Sequence, residues 1–291
     1  MSSNGYSRSP INDPVGLGLR DAHLDFILEQ RPEIGWLEIL VDNLLSADEN
    51  YLNKLELLRS DYPFSFHSVG TSIGSTDPLN YEYLERLRRL IRRFEPEMVS
   101  EHLCWSGVHG VHLHDLLPLP FNDETVKHVS ERIEEIQDFI GRSILIENVS
   151  AYAAFDESSL EEYEFITEIA LRSGSKILLD LNNIFINSIN LGVDLKSYLE
   201  HIPPGLVKEM HLAGGEKRDD IIIDAHNCPV WDEVWELYRQ AIDLYGAVPT
   251  LIEWDNDLPE FHVLQNEARK AQSIINKNQS VKPIRSEYVD A

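Results

Sequence analysis

Ile177-Leu178-Leu179-Asp180-Leu181-Asn182-Asn183 is the stretch that decides how this chain is built. Its short, branched apolar run suits a strand buried on both faces, the kind found in parallel sheets. The run then closes on Asp180, Asn182 and Asn183. A carboxylate at the end of a buried strand needs a partner, because desolvating an unpaired ion costs several kcal/mol or more. The same grammar, an apolar run closing on a residue of metal-ligand type, recurs on both sides of this segment.

Working outward, apolar runs predict strands over 17–20, 36–40, 64–69, 98–103, 143–148, 177–181, 207–212 and 250–254. Amphipathic stretches predict helices between them, over 22–30, 48–59, 78–94, 123–140, 160–172, 195–201, 232–244 and 261–275. Asp123 is placed to cap the fourth of these and Gly141 to end it. Strand and helix alternating in this way predicts α/β architecture, a single-domain (β/α)8 TIM barrel over 14–278. Polar ends at 1–13 and 279–291 read as flexible tails. A doubly wound open sheet is the rival, but Gly16-Leu17-Gly18 continues as Leu-Arg-Asp and breaks the dinucleotide fingerprint.

Bulk properties narrow the function. A formal charge of −25 argues against a general nucleic-acid binder, which needs a basic surface to displace counterions. No apolar run approaches the ~18 residues of a membrane span, and the N-terminus lacks the apolar core of a secretory signal. Cys104 and Cys228 form no disulfide framework, so a reducing, cytoplasmic location is the default. The arginines between Arg86 and Arg93, and Glu131, Glu134 and Glu135, read as solvated helix faces. His109, His112 and His114 alternate as in a hairpin at the barrel mouth, from which Asp115 could reach substrate.

In a barrel, residues at the carboxyl ends of the strands converge on one mouth. Those positions are His67, His102, Glu147, Asp180, His211 and Glu253, with Asp224 and His226 from the loop after strand seven. Residues 221–226 are strand-like, and on an extended segment Asp224 and His226 would project to one side. Imidazoles and carboxylates gathered in this number are hard to stabilise without cations, and divalent transition metals suit such mixed shells.

Nine stretches, in order along the chain, carry a resemblance to a family. They are Gly16-Leu-Gly-Leu-Arg20, His67-Ser-Val-Gly70, Ser100-Glu-His-Leu103, Asp115-Leu-Leu-Pro-Leu-Pro120, Leu145-Ile-Glu-Asn148, Leu179-Asp-Leu-Asn-Asn183, His211-Leu-Ala-Gly214, Asp224-Ala-His226 and Leu251-Ile-Glu-Trp-Asp255. The chain resembles the multinuclear non-heme iron-dependent oxidases, formerly an uncharacterised family. The resemblance implies a barrel of the xylose isomerase and endonuclease IV type. It implies two or three irons, mixed-valent Fe(II)/Fe(III), with O2 as co-substrate. His67 and His102 would hold one iron and Glu147 would bridge to the next. Asp180, His211 and Glu253 would complete the second, with Asn183, Asp224 and His226 around a third position. Glu147, Asp180, His211 and Glu253 would then be the catalytic set. The implied substrate is a cysteine-containing, ribosomally made precursor peptide, presented with the help of a small leader-binding partner protein. The competing reading is a redox-neutral divalent-metal hydrolase or isomerase on the same barrel.

Overall fold

The structure is a computed structural model that describes residues 11–281. Eight parallel strands close into a barrel. The chain enters through β1 (Val15–Gly18), α1 (Asp21–Gln30), β2 (Trp36–Leu40), α2 (Val41–Leu44), α3 (Glu49–Arg59) and β3 (Phe64–Ser68). It continues through α4 (Tyr81–Phe94) and β4 (Met98–His102) into a hairpin of β5 (Trp105–Val108) and β6 (Val111–Leu117). Next come α5 (Asp123–Ile140), β7 (Leu145–Glu147), α6 (Glu162–Ser173), β8 (Lys176–Asp180), α7 (Leu181–Asn190) and α8 (Leu195–His201). The last stretch holds β9 (Val207–Leu212), a ribbon of β10 (Glu216–Arg218) and β11 (Ile221–Ile223), α9 (Asp232–Tyr245), β12 (Thr250–Ile252) and α10 (Phe261–Val281).

Around the ring the order is β1-β12-β9-β8-β7-β4-β3-β2, so the strand nearest each end of the chain is neighbour to the other. Leu17 pairs with Ile252 on one side and Leu37 on the other. The Thr250 N–H donates to the Pro14 carbonyl at 2.7 Å, just ahead of that seam. Gly16 is required there, since a Cβ would fall 2.4 Å from the Trp36 ring. The barrel strands are buried nearly throughout, which explains why their sequences run apolar instead of alternating. The helices cover them with one continuous core. On α4, Leu84, Leu87, Ile91 and Phe94 face inward. Arg86, Arg89 and Arg92 face water, while Arg88 stacks over Phe139 and Arg93 pairs with Glu49 and Glu56.

Two helix boundaries differ from expectation for physical reasons. Asn122, not Asp123, caps α5, its Oδ1 accepting from the Thr125 N–H at 3.0 Å. Gly141 does end that helix, in the left-handed conformation at φ 79°. The final helix runs past Ile275 to Val281, through the first three residues of the stretch read as a C-terminal tail. The remainder of both tails, 1–10 and 282–291, lies outside the described residues. Among the described residues, no helix is long and apolar enough to cross a membrane.

Helix α7 is the element the sequence hid. Its ten residues carry Asn182, Asn183, Asn187 and Asn190 among branched isoleucines, a poor intrinsic helix former. Tertiary contacts impose it. Asp180 caps it through Oδ1 to the Asn183 N–H at 2.6 Å, and Asn187 bridges the Ala151 N–H, the Val149 carbonyl and Glu162.

Glu162 is itself an anomaly, since burial pushes its carboxyl up to about 8 with only Asn187 opposing. An acid raised in the folded state is favourable while protonated, and its contribution is lost as pH rises from the ordinary 4.5 through about 8. Glu162→Gln is therefore expected to leave stability near pH 5 unchanged and to gain roughly 2 kcal/mol at pH 8. Part of the full effect is offset by the helix N-terminus at which Glu162 sits. Thermal unfolding of both proteins at the two pH values reads this, and equal stabilities at pH 8 would refute it.

Candidate metal centre

The carboxyl ends of six barrel strands deliver His67, His102, Glu147, Asp180, His211 and Glu253 to one mouth, all of them buried. His67 Nε2, His102 Nε2 and Glu147 Oε2 form a nearly equilateral triangle with edges of 3.2, 3.2 and 3.3 Å. Donors held on a common ion at about 2.0–2.2 Å stand roughly 3–3.5 Å apart, so the triangle has the dimensions of a metal face. Glu147 Oε2 is buried with no hydrogen-bond partner.

Neighbours fix which ring nitrogen points into the site. His102 Nδ1 meets the Ser68 carbonyl at 3.2 Å, and a carbonyl only accepts, so Nδ1 carries the proton. His67 Nδ1 lies 2.7 Å from Ser100 Oγ, whose hydroxyl donates to the Phe66 carbonyl. Each imidazole thereby presents Nε2 as a lone pair when neutral. Burial, with His102 and His211 beside it, pushes His67 down to about 3, so it stands neutral. Burial also opposes a charge on His102, but Glu147 and Glu101 outweigh it and carry His102 up to about 9.

Glu147 Oε1 turns the other way, 3.5 Å from His211 Nδ1, and Glu253 Oε2 reaches the same nitrogen at 3.0 Å. With Asp180 these residues make a second buried group whose ligand atoms all lie within 4.8 Å. Asn148 clamps the Asp180 backbone, donating to its carbonyl and accepting from its N–H. The acids divide their charge unequally. Burial and the Glu147 charge raise Asp180 well above the carboxylate range, while His226 and His211 hold Glu253 well below it against burial.

The third group is built differently from the extended pair expected at Asp224 and His226. β11 stops at Ile223, and His226 takes a left-handed φ of 45°. Its carbonyl accepts from the N–H groups of Asp255 and Asn256 at 2.8 and 3.2 Å, which holds the turn. The two side chains still meet, with His226 Nε2 2.6 Å from Asp224 Oδ1. Asn183 shares the mouth cavity with them, and its Oδ1 is buried and unpartnered. His226 Nδ1 lies 3.0 Å from Asp255 Oδ2, and Arg20 grips the other Asp255 oxygen.

A cavity of about 540 Å³ opens above all three groups, and Asp115 and His112 of the β5–β6 hairpin also line it. Cys104 is fully buried and Cys228 half-buried against Gly215 and Trp231, and neither bonds to the other.

The expected constellation omitted Glu38 and Glu209, both fully buried beneath His211. A charge in the middle of the apolar run 36–40 was the signal for the first. Asn182, which donates to Asp224 Oδ1 at 2.8 Å, and the Arg20–Asp255 pair carried none by spacing.

Known proteins share both the sequence and the barrel. A UPF0276 protein of Acaryochloris marina is 45% identical over 261 residues, 90% of this chain and 94% of its own. One from Vibrio parahaemolyticus is 42% identical over 90% of this chain and 93% of its own. Among solved structures, L-ribulose 3-epimerase is similar with a TM-score of 0.61 at 13% identity, over 93% of this chain and 98% of that one. Endonuclease IV from Thermus thermophilus gives 0.59 at 14%, over 93% and 100%. A xylose isomerase-like TIM barrel protein from Mycobacterium smegmatis gives 0.57 at 13%, over 92% and 97%. At such identities the likeness speaks to the fold, a xylose isomerase-like barrel. The family described as "RiPP precursor modification enzyme MbnB/TglH/ChrH" matches residues 14–276, nearly the whole described chain, and this protein belongs to that family of enzymes acting on ribosomally synthesised precursor peptides.

Proposed function

We propose that this protein is an O2-dependent multinuclear non-heme iron oxidase that modifies cysteine in a precursor peptide. The observation that carries the metal reading is Glu147. One of its oxygens belongs to the triangle with His67 and His102, and the other faces His211 in the second group. A carboxylate divided in this way is the arrangement by which a protein holds two ions about 3.5–4 Å apart. His67, His102 and Glu147 would hold one ion, and Glu147, Asp180, His211 and Glu253 the other. Asn183, Asp224 and His226 would surround a third. Iron, when bound, supplies one-electron chemistry with O2 and a Lewis acid that lowers the pKa of a substrate thiol.

The chain's own residues do the rest. The serine and backbone contacts behind His67 and His102 keep each Nε2 aimed into the site before an ion arrives, and His102 gives up its proton when one binds. The mouth cavity is large enough for a cysteine side chain and its flanking peptide. Asp115 on the hairpin can hold a peptide N–H there. The acidic balance suits a basic leader or a basic leader-binding partner. Free Cys104 and Cys228 fit a reducing cytoplasm.

Aerobically isolated protein is expected to contain iron and to consume O2 only with a cysteine-containing precursor, with a new thiolate-dependent absorption. Tight zinc without iron, and no O2 uptake with a thiol peptide, would instead favour the redox-neutral hydrolase or isomerase. Mass spectrometry of a precursor co-expressed with and without a leader-binding partner tests the partner.

The third position has a neutral amide where the others have carboxylate or imidazole. Asn183→Asp is expected to tighten the most labile ion by about tenfold or more, since charge-assisted contacts are roughly twice as strong as neutral ones. Competitive chelation with metal analysis measures it, and an unchanged third affinity would remove Asn183 from the ligand set.

A further inference from the structure

The nearest group behind His67 is a serine hydroxyl and behind His102 a backbone carbonyl, with the single carboxylate of Glu101 farther off at 3.7 Å. His211 differs. Its Nε2 faces Glu38 Oε2 at 3.2 Å and Glu209 Oε1 at 3.8 Å, both carboxylates fully buried below the metal-binding groups. His211 Nε2 and all four oxygens of the pair lack any directed hydrogen bond. Among the described residues, His211 is also the one ion-pair partner of either acid within 4 Å. The strands explain the placement. Glu209 lies two residues before His211 on β9, on the same inward face, and Glu38 projects inward from the middle of β2. Beyond His211, the Ser65 hydroxyl beside Glu209 is a weak counterweight to two buried charges. Burying two acids together is unfavourable, and the imidazole is the partner the geometry gives them.

We infer that Glu38 and Glu209 are positioning residues that hold the proton of His211 on Nε2, so that Nδ1 is presented as an electron-rich ligand to the ion shared by Glu147, Asp180 and Glu253. Carboxylates face both ring nitrogens, Glu253 and Glu147 on Nδ1 and Glu38 and Glu209 on Nε2. With an ion on the Nδ1 side the ring proton is left to Nε2, where an ionised carboxylate can only accept it. Negative charge behind an imidazole also raises its basicity, as in carboxylate–histidine–metal triads. Neither His67 nor His102 has a carboxylate pair of this kind behind its outer nitrogen. The ion it holds is therefore distinguished from the ion on His67 and His102, which bears on how one ion of a pair can stay in the higher oxidation state. The inference rests on the metal reading of the site, though not on iron or O2 chemistry.

The test uses the full-length protein stripped of metal and titrated with cobalt(II), whose visible absorption reports ligand set and geometry. Glu38→Gln and Glu209→Gln keep shape while removing charge, and Glu38→Leu removes the acceptor. Each is expected to weaken one cobalt ion by roughly 10–100-fold and shift its absorption, leaving the ion on His67 and His102 at wild-type affinity. On the iron protein, the reduction potential of one ion is expected to rise, with KM for the peptide unchanged. Thermal unfolding of the stripped variants guards against misfolding. A variant that fails to fold is set aside for the others, of which Glu209→Gln is the mildest. Folded variants with wild-type cobalt affinities and spectra would overturn the inference. So would an extra wild-type ion that vanishes in Glu209→Gln, since the acids would then be ligands themselves. Wild-type protein that binds no cobalt would instead overturn the metal reading, and loss of O2 uptake alone touches neither.

Discussion

Glu147→Gln is expected to remove at least one metal ion per chain and to cut turnover of a cysteine-containing precursor by more than ~100-fold. The magnitude follows from comparison. Losing a residue that merely orients a ligand costs about 10–100-fold in affinity or activity, and Glu147 contacts both groups directly. Its Oε2 completes the triangle with His67 and His102, and its Oε1 approaches His211. Glutamine has the same shape but half the acceptor capacity and no charge, so it can serve one group at most. Metal analysis of the purified variant, with mass spectrometry of the modified peptide, reads both effects. A full metal complement with turnover within tenfold of wild type would show that Glu147 bridges nothing.

Removing metal from the wild-type protein is expected to lower its melting temperature by roughly 5–10 °C per ion. An ion at about a hundred times its Kd stabilises by about 2.7 kcal/mol, and for a chain of this size each kcal/mol moves Tm by about 2–4 °C. The loss should grow with pH. Asp180 is raised by burial and the Glu147 charge, and Glu38 is raised by burial to about 7. For acids raised in the folded state, stability is present at low pH and falls as pH climbs from the ordinary carboxylate range through the folded value. His211 and His226, raised against burial mainly by Glu38 and Asp224, also lose their contribution as pH rises. The metal-free protein should therefore weaken from pH 5 to pH 8 while the loaded protein, whose charges are already neutralised, changes less. Scanning calorimetry with and without chelator at the two pH values checks this, and parallel curves would contradict it.

How far the sequence could be read depended on which force governed each element. The barrel strands were legible because burial on both faces leaves an apolar run, and β2 and β9 have the predicted limits of 36–40 and 207–212. The convergence of His67, His102, Glu147, Asp180, His211 and Glu253 was legible too, since strand ends in a barrel share one mouth. Helix α7 was illegible because its asparagines are satisfied by partners far along the chain. The His226 turn was illegible for a related reason, because alternation cannot reveal a carbonyl that two later N–H groups will hold. Glu38 and Glu209 stood in plain view but within strands, not at their ends. A rule that searched only strand ends passed over them.

The seam between β1 and β12 has a consequence for how the protein is made. Translation delivers β1 first and its neighbour β12 nearly last, so the nascent barrel carries an unpaired edge through most of its synthesis. Glu253 leaves the ribosome with that same closing strand. His67, His102 and Glu147 can meet earlier, but the second group cannot exist until the ring is shut. A stalled or truncated polypeptide thus exposes an open sheet edge while its second group of buried acids and imidazole is still incomplete.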